Sequence, residues 1–298
     1  MTNGTEETDF ILEGLTNAPE LQIPLFIVFT LIYLISVFGN LGMITLILLD
    51  SRLHTPMYFF IINLSLVDFG YSSAATPKVM AGFLRADKVI SYNVCAAQIF
   101  FFAAFASVEN FLLAAMDYDR HAAVCKPLHY TFTMKTSVCG RLAIGSFVCG
   151  FVNTSIHVGG TFSLSLCKSN VVHHFFCDIP AVMALSCSDK HVREVVLILI
   201  SSFNDFFALL VIFISSLLIF ITVLKMHSAK GYQKAFIFYG TVIFTYLQPS
   251  SSHSMDTDKV ASVFHAVVTP MLHPTVYSLR SKEGKSAIKK ATGKQNSL

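Results

Sequence analysis

The sequence predicts an all-α membrane protein: a seven-transmembrane helix bundle, N-terminus outside and C-terminus inside, with an abnormally short sixth span. Three observations carry that expectation. The first is composition: 54% of the 298 residues are apolar, 13% are charged, and mean hydropathy is +0.62. A soluble domain carries roughly twice that charged share, so lipid is the solvent such a chain fits. The second is a series of long apolar runs. The third is charge asymmetry. The first 20 residues hold Glu6, Glu7, Asp9, Glu13 and Glu20 and no Lys or Arg. The last 19 hold Arg280, Lys282, Lys285, Lys289, Lys290 and Lys294 against the single acid Glu283. Ends so different in charge belong on opposite sides of a membrane.

Crossing about 30 Å of hydrocarbon takes roughly 20 helical residues. Runs of that order lie at 24–48, 57–80, 94–116, 138–159, 195–224 and 260–279. A further run, 235–247, has only 13 residues before Gln248 and Pro249. Backbone groups in lipid must be satisfied within their own segment, which makes these runs helices. The alternating ten-residue segments of a β-barrel are not visible. One domain is expected over 1–298, comprising an extracellular tail (1–23), the bundle (24–279) and a cytoplasmic tail (280–298). The start, MTNGTEETDF, is polar and acidic, unlike a cleavable signal peptide, so the first run is expected to serve as both signal and span.

Loop charges set the orientation. Arg52, Arg120, Lys126, Lys135, Lys225, Lys230, Lys234 and the basic tail fall inside, while the outer segments hold Arg85, Lys88, Lys168, Lys190, Arg193 and Lys259. That bias fits seven spans, whereas six would strand the basic tail outside. Cys95, Cys167, Cys177 and Cys187 then all face the side that permits disulfides. Four cysteines allow three pairings, and spacing alone does not choose among them. Cys125, Cys139 and Cys149 read as free thiols. Asn3, in Asn3-Gly4-Thr5, is a glycosylation acceptor on the outer tail. Asn63 and Asn153 match the same pattern inside spans, out of reach of the modifying machinery.

Ionisable groups inside spans are expensive and draw attention. Asp68 in span two and Glu109 in span three each lie near mid-span. Together they can share a cation or a proton, and oxygen ligands suit hard cations; alternatively each is protonated and hydrogen-bonded to a neighbouring helix. Asp119 and Arg120 can pair at the inner end of span three. Asp117 and Asp205, near helix ends, are given no role. His173, His174 and Cys177 lie close enough to suggest a metal site, but oxidation is the stronger reading of Cys177 and leaves only two neighbouring histidines.

Several strings together are characteristic. Leu53-His54-Thr55-Pro56-Met57-Tyr58-Phe59-Phe60 fills the first inner loop, after Gly39-Asn40 in span one. Met116-Asp117-Tyr118-Asp119-Arg120-His121 closes span three, followed by Val124-Cys125-Lys126-Pro127-Leu128-His129-Tyr130. Later come His174-Phe175-Phe176-Cys177-Asp178, Lys234-Ala235-Phe236, Phe238-Tyr239-Gly240 and Pro270-Met271-Leu272-His273-Pro274. On these residues, spread over nearly the whole chain, the protein resembles the olfactory (odorant) receptors, rhodopsin-like (class A) G-protein-coupled receptors.

The resemblance implies a multi-pass plasma-membrane receptor that binds small volatile odorants from outside and activates a stimulatory heterotrimeric G protein inside. It implies no enzymatic activity and no cofactor beyond a sodium ion in the bundle, where Asp68 and Glu109 match the family's sodium-pocket acids. It pairs Cys95 with Cys177 and Cys167 with Cys187. Arg120, beside Asp119, matches the arginine that releases on activation, and Tyr277 the tyrosine that moves towards it. The odorant pocket is expected among Phe102, Ala103, Ala106 and Ser107 on span three, Ser201 and Asn204 on span five, and Tyr239, Val242 and Tyr246 on span six. The span-three residues share one face at helical spacing. A mostly apolar lining with a few hydroxyls suits a small, weakly polar ligand; plain bundle packing is the alternative for small residues such as Ala103 and Ala106.

The chain departs from the family at His273 in place of an asparagine, His121 and Ser216 in place of tyrosines, and Asp117 in place of an alanine. The largest departure follows Ala235-Phe236, where about a dozen residues of the inner half of span six are absent. Thirteen residues make about 20 Å of helix against about 30 Å of hydrocarbon. That deficit costs several kcal/mol at fractions of a kcal/mol per Å, part of it recovered if Lys234 snorkels. The expectation is a receptor whose signalling is impaired, or a degenerate non-signalling derivative. A transporter or channel would show inverted repeats or paired broken helices, and neither is visible.

Overall fold

The computed structural model describes residues 9–15, 18–84, 88–125, 127–163, 170–172 and 174–186, with single helical positions between 195 and 221 and at 270. Proline opens the first two helices, where its missing N–H would have had no partner. Helix α1 (Pro19–Leu49) ends at Asp50, whose N–H still donates to the Leu46 carbonyl at 3.1 Å. The Asp50 carboxylate then accepts from the Arg52 guanidinium at 2.9 and 2.6 Å, closing a tight turn into α2 (Pro56–Leu84). Next come α3 (Tyr92–Cys125), the single turn α4 (Tyr130–Thr133), α5 (Thr136–Phe162) and the short α6 (Ile179–Met183).

The four long helices contain the first four expected spans and overrun each of them. The apolar run marks only what lipid requires; the hydrogen-bonded helix continues until a turn residue stops it. At 31 residues α1 is about 46 Å long, well over the hydrocarbon thickness. Among the described residues, α1, α3 and α5 are long and apolar enough to cross a membrane.

Burial is inverted relative to a soluble bundle. Outward positions on α1 and α5 are aliphatic or aromatic: Ile23, Ile27, Leu31, Phe38, Ile144, Val148, Val152 and Ile156 are all exposed. Ser36, Asn40, Ser65, Asp68, Ser72, Thr76, Ser146, Thr154 and Thr161 are buried between helices. Many of these hydroxyls return to their own helix, as Ser72 Oγ does to the Asp68 carbonyl at 2.8 Å and Thr161 Oγ1 to His157 at 2.9 Å. Such an arrangement is favourable only when the surroundings offer no water.

Helix α3 is central, packed against α2 on one side and α5 on the other. Val67, Val108, Leu112, Met116 and Ala143 form part of the core between them. The α3–α5 approach is set by Gly150: a Cβ there would sit 2.5 Å from Val108 Cγ2 and 2.9 Å from the Val108 backbone nitrogen. Backbone cannot yield as a side-chain tip can. We expect Gly150→Leu to separate the helices and to lower stability by about 1–3 kcal/mol, as overpacking does, read as an earlier thermal transition of the detergent-solubilised protein. Gly145→Leu, facing open space, serves as the control and should melt as the parent does.

A small sheet caps one end of the bundle. Strand β1 (Phe10–Leu12) lies between β2 (Val89–Ile90) and β3 (Val171–Val172), antiparallel to β2 and parallel to β3. Phe10 faces Ile90, and Leu12 faces Val172. The sheet joins the amino tail, the α2–α3 connection and the segment after α5, so those three share one end of the molecule. Strands of two or three residues are too short to show alternation, which is why the sequence gives no sign of them.

Candidate ligand-binding and activation sites

Cys95, in the first turn of α3, is disulfide-bonded to Cys177, with Cα atoms 5.5 Å apart and 82 residues between them in sequence. One turn further along α3, buried Gln98 reinforces the tie. Its Oε1 accepts from the Cys177 N–H at 3.1 Å, and its Nε2 donates to the Ala74 carbonyl of α2 at 3.3 Å. A single amide thus fastens two helices to the loop. Gln98 was not singled out from sequence, although a glutamine one turn from Cys95 in an apolar run was a signal. Among the described residues Cys125, Cys139 and Cys149 form no disulfide.

The residues before Cys177 form an aromatic plug. The His174 ring stacks on Phe175 at 4.5 Å and meets Phe176 edge-on at 4.6 Å. Phe176 in turn lies 5.0 Å from Phe102, whose other neighbour is Tyr71, stacked at 4.4 Å. Phe29, Val79, Phe83 and Ala106 complete this cluster. Phe102 and Ala106 therefore sit under the plug, and Phe102, Ala103, Ala106 and Ser107 are all half-buried on α3. Asp178, just beyond the disulfide, caps α6 by accepting from the Ile179 N–H at 2.8 Å. Burial pushes its carboxyl up from the ordinary range, and that hydrogen bond draws it part of the way back.

Asp68 is fully buried on α2 and Glu109 half-buried on α3. They sit on the neighbouring helices α2 and α3, which pack against each other. Asn40, buried on α1, donates from Nδ2 to the Ser36 carbonyl at 3.0 Å and to the Pro270 carbonyl at 3.1 Å. That second bond brings a helical, buried position of the last expected span against the first. Asn40 Oδ1 is buried without a hydrogen-bond partner.

At the end of α3 away from the sheet, the arrangement differs from the adjacent Asp119–Arg120 pair expected. Arg120 Nη1 donates to Asp117 Oδ1 at 3.4 Å, one turn back along the same helix face, and both side chains are largely shielded. Asp119 is buried and accepts from the Tyr130 hydroxyl at 2.9 Å. Residues i and i+3 on a helix are neighbours, whereas i and i+1 diverge by about 100°, which favours Asp117 over Asp119 as the partner of Arg120. Asp117, given no role from sequence, is thus in contact with Arg120. Burial and the Asp119 bond push the Tyr130 phenol above its ordinary range.

Of the remaining expected residues, Ser201, Asn204, Tyr239, Val242, Tyr246, Tyr277, Cys167, Cys187 and Asn3 lie outside the described residues. Asn63 and Asn153 do lie inside helices, as expected of unmodified matches to the acceptor pattern.

Apolar helices facing outward, polar groups turned inward and a disulfide-tethered aromatic loop over one end define a multi-pass helical membrane protein. Comparison with known proteins narrows the class. A family model described as olfactory receptor matches residues 29–295. Olfactory receptor 5B2 of Homo sapiens is 70% identical over 309 aligned positions, covering 100% of both chains. Olfactory receptor 5B3 of Homo sapiens is 68% identical, covering 99% of this chain and 97% of its own. Olfactory receptor 5B21 of Mus musculus is 58% identical, covering 97% and 94%. The chain belongs to the olfactory receptor family, a family of G-protein-coupled receptors that are multi-pass plasma-membrane proteins and not enzymes.

Proposed function

We propose that this receptor binds small, weakly polar volatile molecules within a seven-span bundle, N-terminus outside and C-terminus inside, and couples to a stimulatory heterotrimeric G protein. The observation that carries the reading is the half-buried face of Phe102, Ala103, Ala106 and Ser107 lying beneath the tethered plug. To the far wall we assign Ser201, Asn204, Tyr239, Val242 and Tyr246, which lie outside the described residues. Apolar area with two or three hydroxyls and amides binds by shape and dispersion, with little demand for charge.

Asp68 and Glu109 would hold a sodium ion, because two carboxylates on the packed helices α2 and α3 can supply the hard oxygen donors and the negative charge it requires. Bound there, the ion offsets the charge of the acids in the inactive bundle. Arg120, with Asp119 and Tyr277, forms the activation end. Cys167 pairs with Cys187, and Asn3 carries a glycan.

Signalling is impaired by the short sixth span. Alignment with Olfactory receptor 5B2 runs over 309 positions against the 298 residues here, leaving about eleven that this chain does not fill. That number supports a segment missing after Phe236. The test is purified protein in lipid nanodiscs with an added stimulatory G protein and a mixed odorant panel. We expect odorant-dependent guanine-nucleotide exchange well below that of Olfactory receptor 5B2 under the same conditions, and no ion flux in liposomes. A robust exchange rate would remove the impairment, and ion flux without exchange would replace the receptor reading with a transporter.

A further inference from the structure

Helix α5 has an outward face that changes character along its length. Ile144, Val148, Val152 and Ile156 are all exposed and recur once per turn, which lines them up as one aliphatic stripe. One turn nearer the start of the helix the same face carries exposed Arg141, and exposed Lys135 precedes the first turn. At 27 residues α5 is about 40 Å long, about 10 Å more than the hydrocarbon needs. Part of that excess is residues 136–141, where the exposed positions are Thr136, Ser137 and Arg141 and none is apolar. This end of α5, away from the sheet, therefore stands at headgroup depth. Arg141 Nε donates to the Ser137 carbonyl at 3.2 Å, which draws the guanidinium back towards the helix start and leaves its two Nη groups for another acceptor. Lys135 Nζ lies 5.9 Å from the centroid of the exposed Phe132 ring. The ion pairs among the described residues are Arg52–Asp50 and Arg120–Asp117, and neither includes Lys135 or Arg141. Positions 121–177 hold no Asp or Glu.

Cations at headgroup depth attract anionic lipid, each tightening the contact by about fivefold. A guanidinium fork matches phosphate geometry, and an ammonium serves as a point charge for a second anionic group. An aromatic ring beside a cation suits the boundary where headgroups meet acyl chains. The stripe below continues the lipid-facing surface of the bundle. From this face we infer a binding site for one anionic phospholipid: its phosphate on Arg141, a second negative group such as a serine carboxylate near Lys135, and an acyl chain along Ile144, Val148, Val152 and Ile156. Phosphatidylcholine has no second negative group, so the site discriminates by headgroup. With the orientation proposed above, this end faces the inner leaflet, where anionic lipids concentrate. The site itself needs neither odorant nor G protein.

The experiment uses the full chain in nonionic detergent, with phosphatidylserine and phosphatidylcholine of identical acyl chains as competing probes and native mass spectrometry as the readout. Detergent removes the leaflets, so a negative result speaks to the site and not to the orientation. We expect one retained phosphatidylserine per chain, preferred over phosphatidylcholine by about tenfold or more. Lys135→Gln and Arg141→Gln should each lower that preference by about fivefold, and the double variant should abolish it. Arg141→Lys should keep more of it than Arg141→Gln. Arg52→Gln removes a cation that Asp50 already neutralises and should leave the preference as it is, although the net charge changes equally. All three cations are exposed, and thermal melting of each variant checks the fold. Equal retention of the two lipids, an equal loss in Arg52→Gln and Arg141→Gln, or displacement by inorganic phosphate at the lipid's own concentration would each overturn the inference. So would the mass of a lipid-free dimer, which would give the face to a second copy of the chain.

Discussion

Cys95→Ser and Cys177→Ser are each expected to abolish delivery to the cell surface and to lower the thermal transition of the solubilised protein by many degrees. The bond closes a stretch of 82 residues. Its removal returns to the unfolded chain an entropy worth about 4 kcal/mol, a large part of the stability of an ordinary domain. The native state suffers as well. Without the bond, the loop is held over α3 by the Gln98 amide, the small sheet and side-chain packing such as Phe176 on Phe102. Phe175 and Phe176 then lose their fixed place against Tyr71 and Phe102, and apolar surface opens at the sheet end. The double variant should be no worse than either single one, because both remove the same bond and the double leaves neither Cys95 nor Cys177 as a lone thiol to form wrong partners. Surface immunostaining of intact cells and melting in detergent read the two effects. Normal surface levels in both single variants would show the sheet and Gln98 to be sufficient.

Restoring the sixth span is the change expected to act most strongly on signalling. Run 235–247 reaches about 20 Å as a helix, against about 30 Å of hydrocarbon. Grafting the corresponding segment of Olfactory receptor 5B2 between Phe236 and Ile237 adds about 16 Å of helix, more than the shortfall of about 10 Å. Two effects should follow. Mismatch strain worth several kcal/mol is relieved, and the inner half of the helix, the part that must move to admit a G protein, becomes long enough to act as a lever. A cyclic-AMP reporter should rise at least about tenfold over the parent, since a population shift of about 1.4 kcal/mol already gives that factor. The same graft with Arg120→Ala should stay flat. A parent that signals as strongly as the graft would show that the short span is tolerated.

Much of this architecture could be read from residues alone, for identifiable reasons. The long apolar runs locate α1, α2, α3 and α5 because lipid imposes one length on all of them. The buried acids were visible because a carboxylate within an apolar run is conspicuous. The sheet was not visible, since two- and three-residue strands carry no period. Asp119 was expected to hold Arg120 because they are neighbours in sequence, but helical rotation gives the contact to Asp117. Gln98 shows the same limit: its type and position were plain, while its two partners, 24 and 79 residues away, are a matter of tertiary geometry.

The sheet also dictates a timetable for synthesis. Ile11 is among the first residues made, yet its N–H donates to the carbonyl of Asn170, which emerges only after α5. Until then the amino tail has at most the two-residue edge of β2 to hold it. Contacts so distant in sequence form late and slowly. The strand Phe10–Leu12 therefore stays undocked while α1, α2, α3 and α5 are made, and docks once the loop bearing Cys177 arrives. Closure of this small lid would then report that the first half of the bundle has assembled, a state that export machinery can distinguish from an unlatched intermediate.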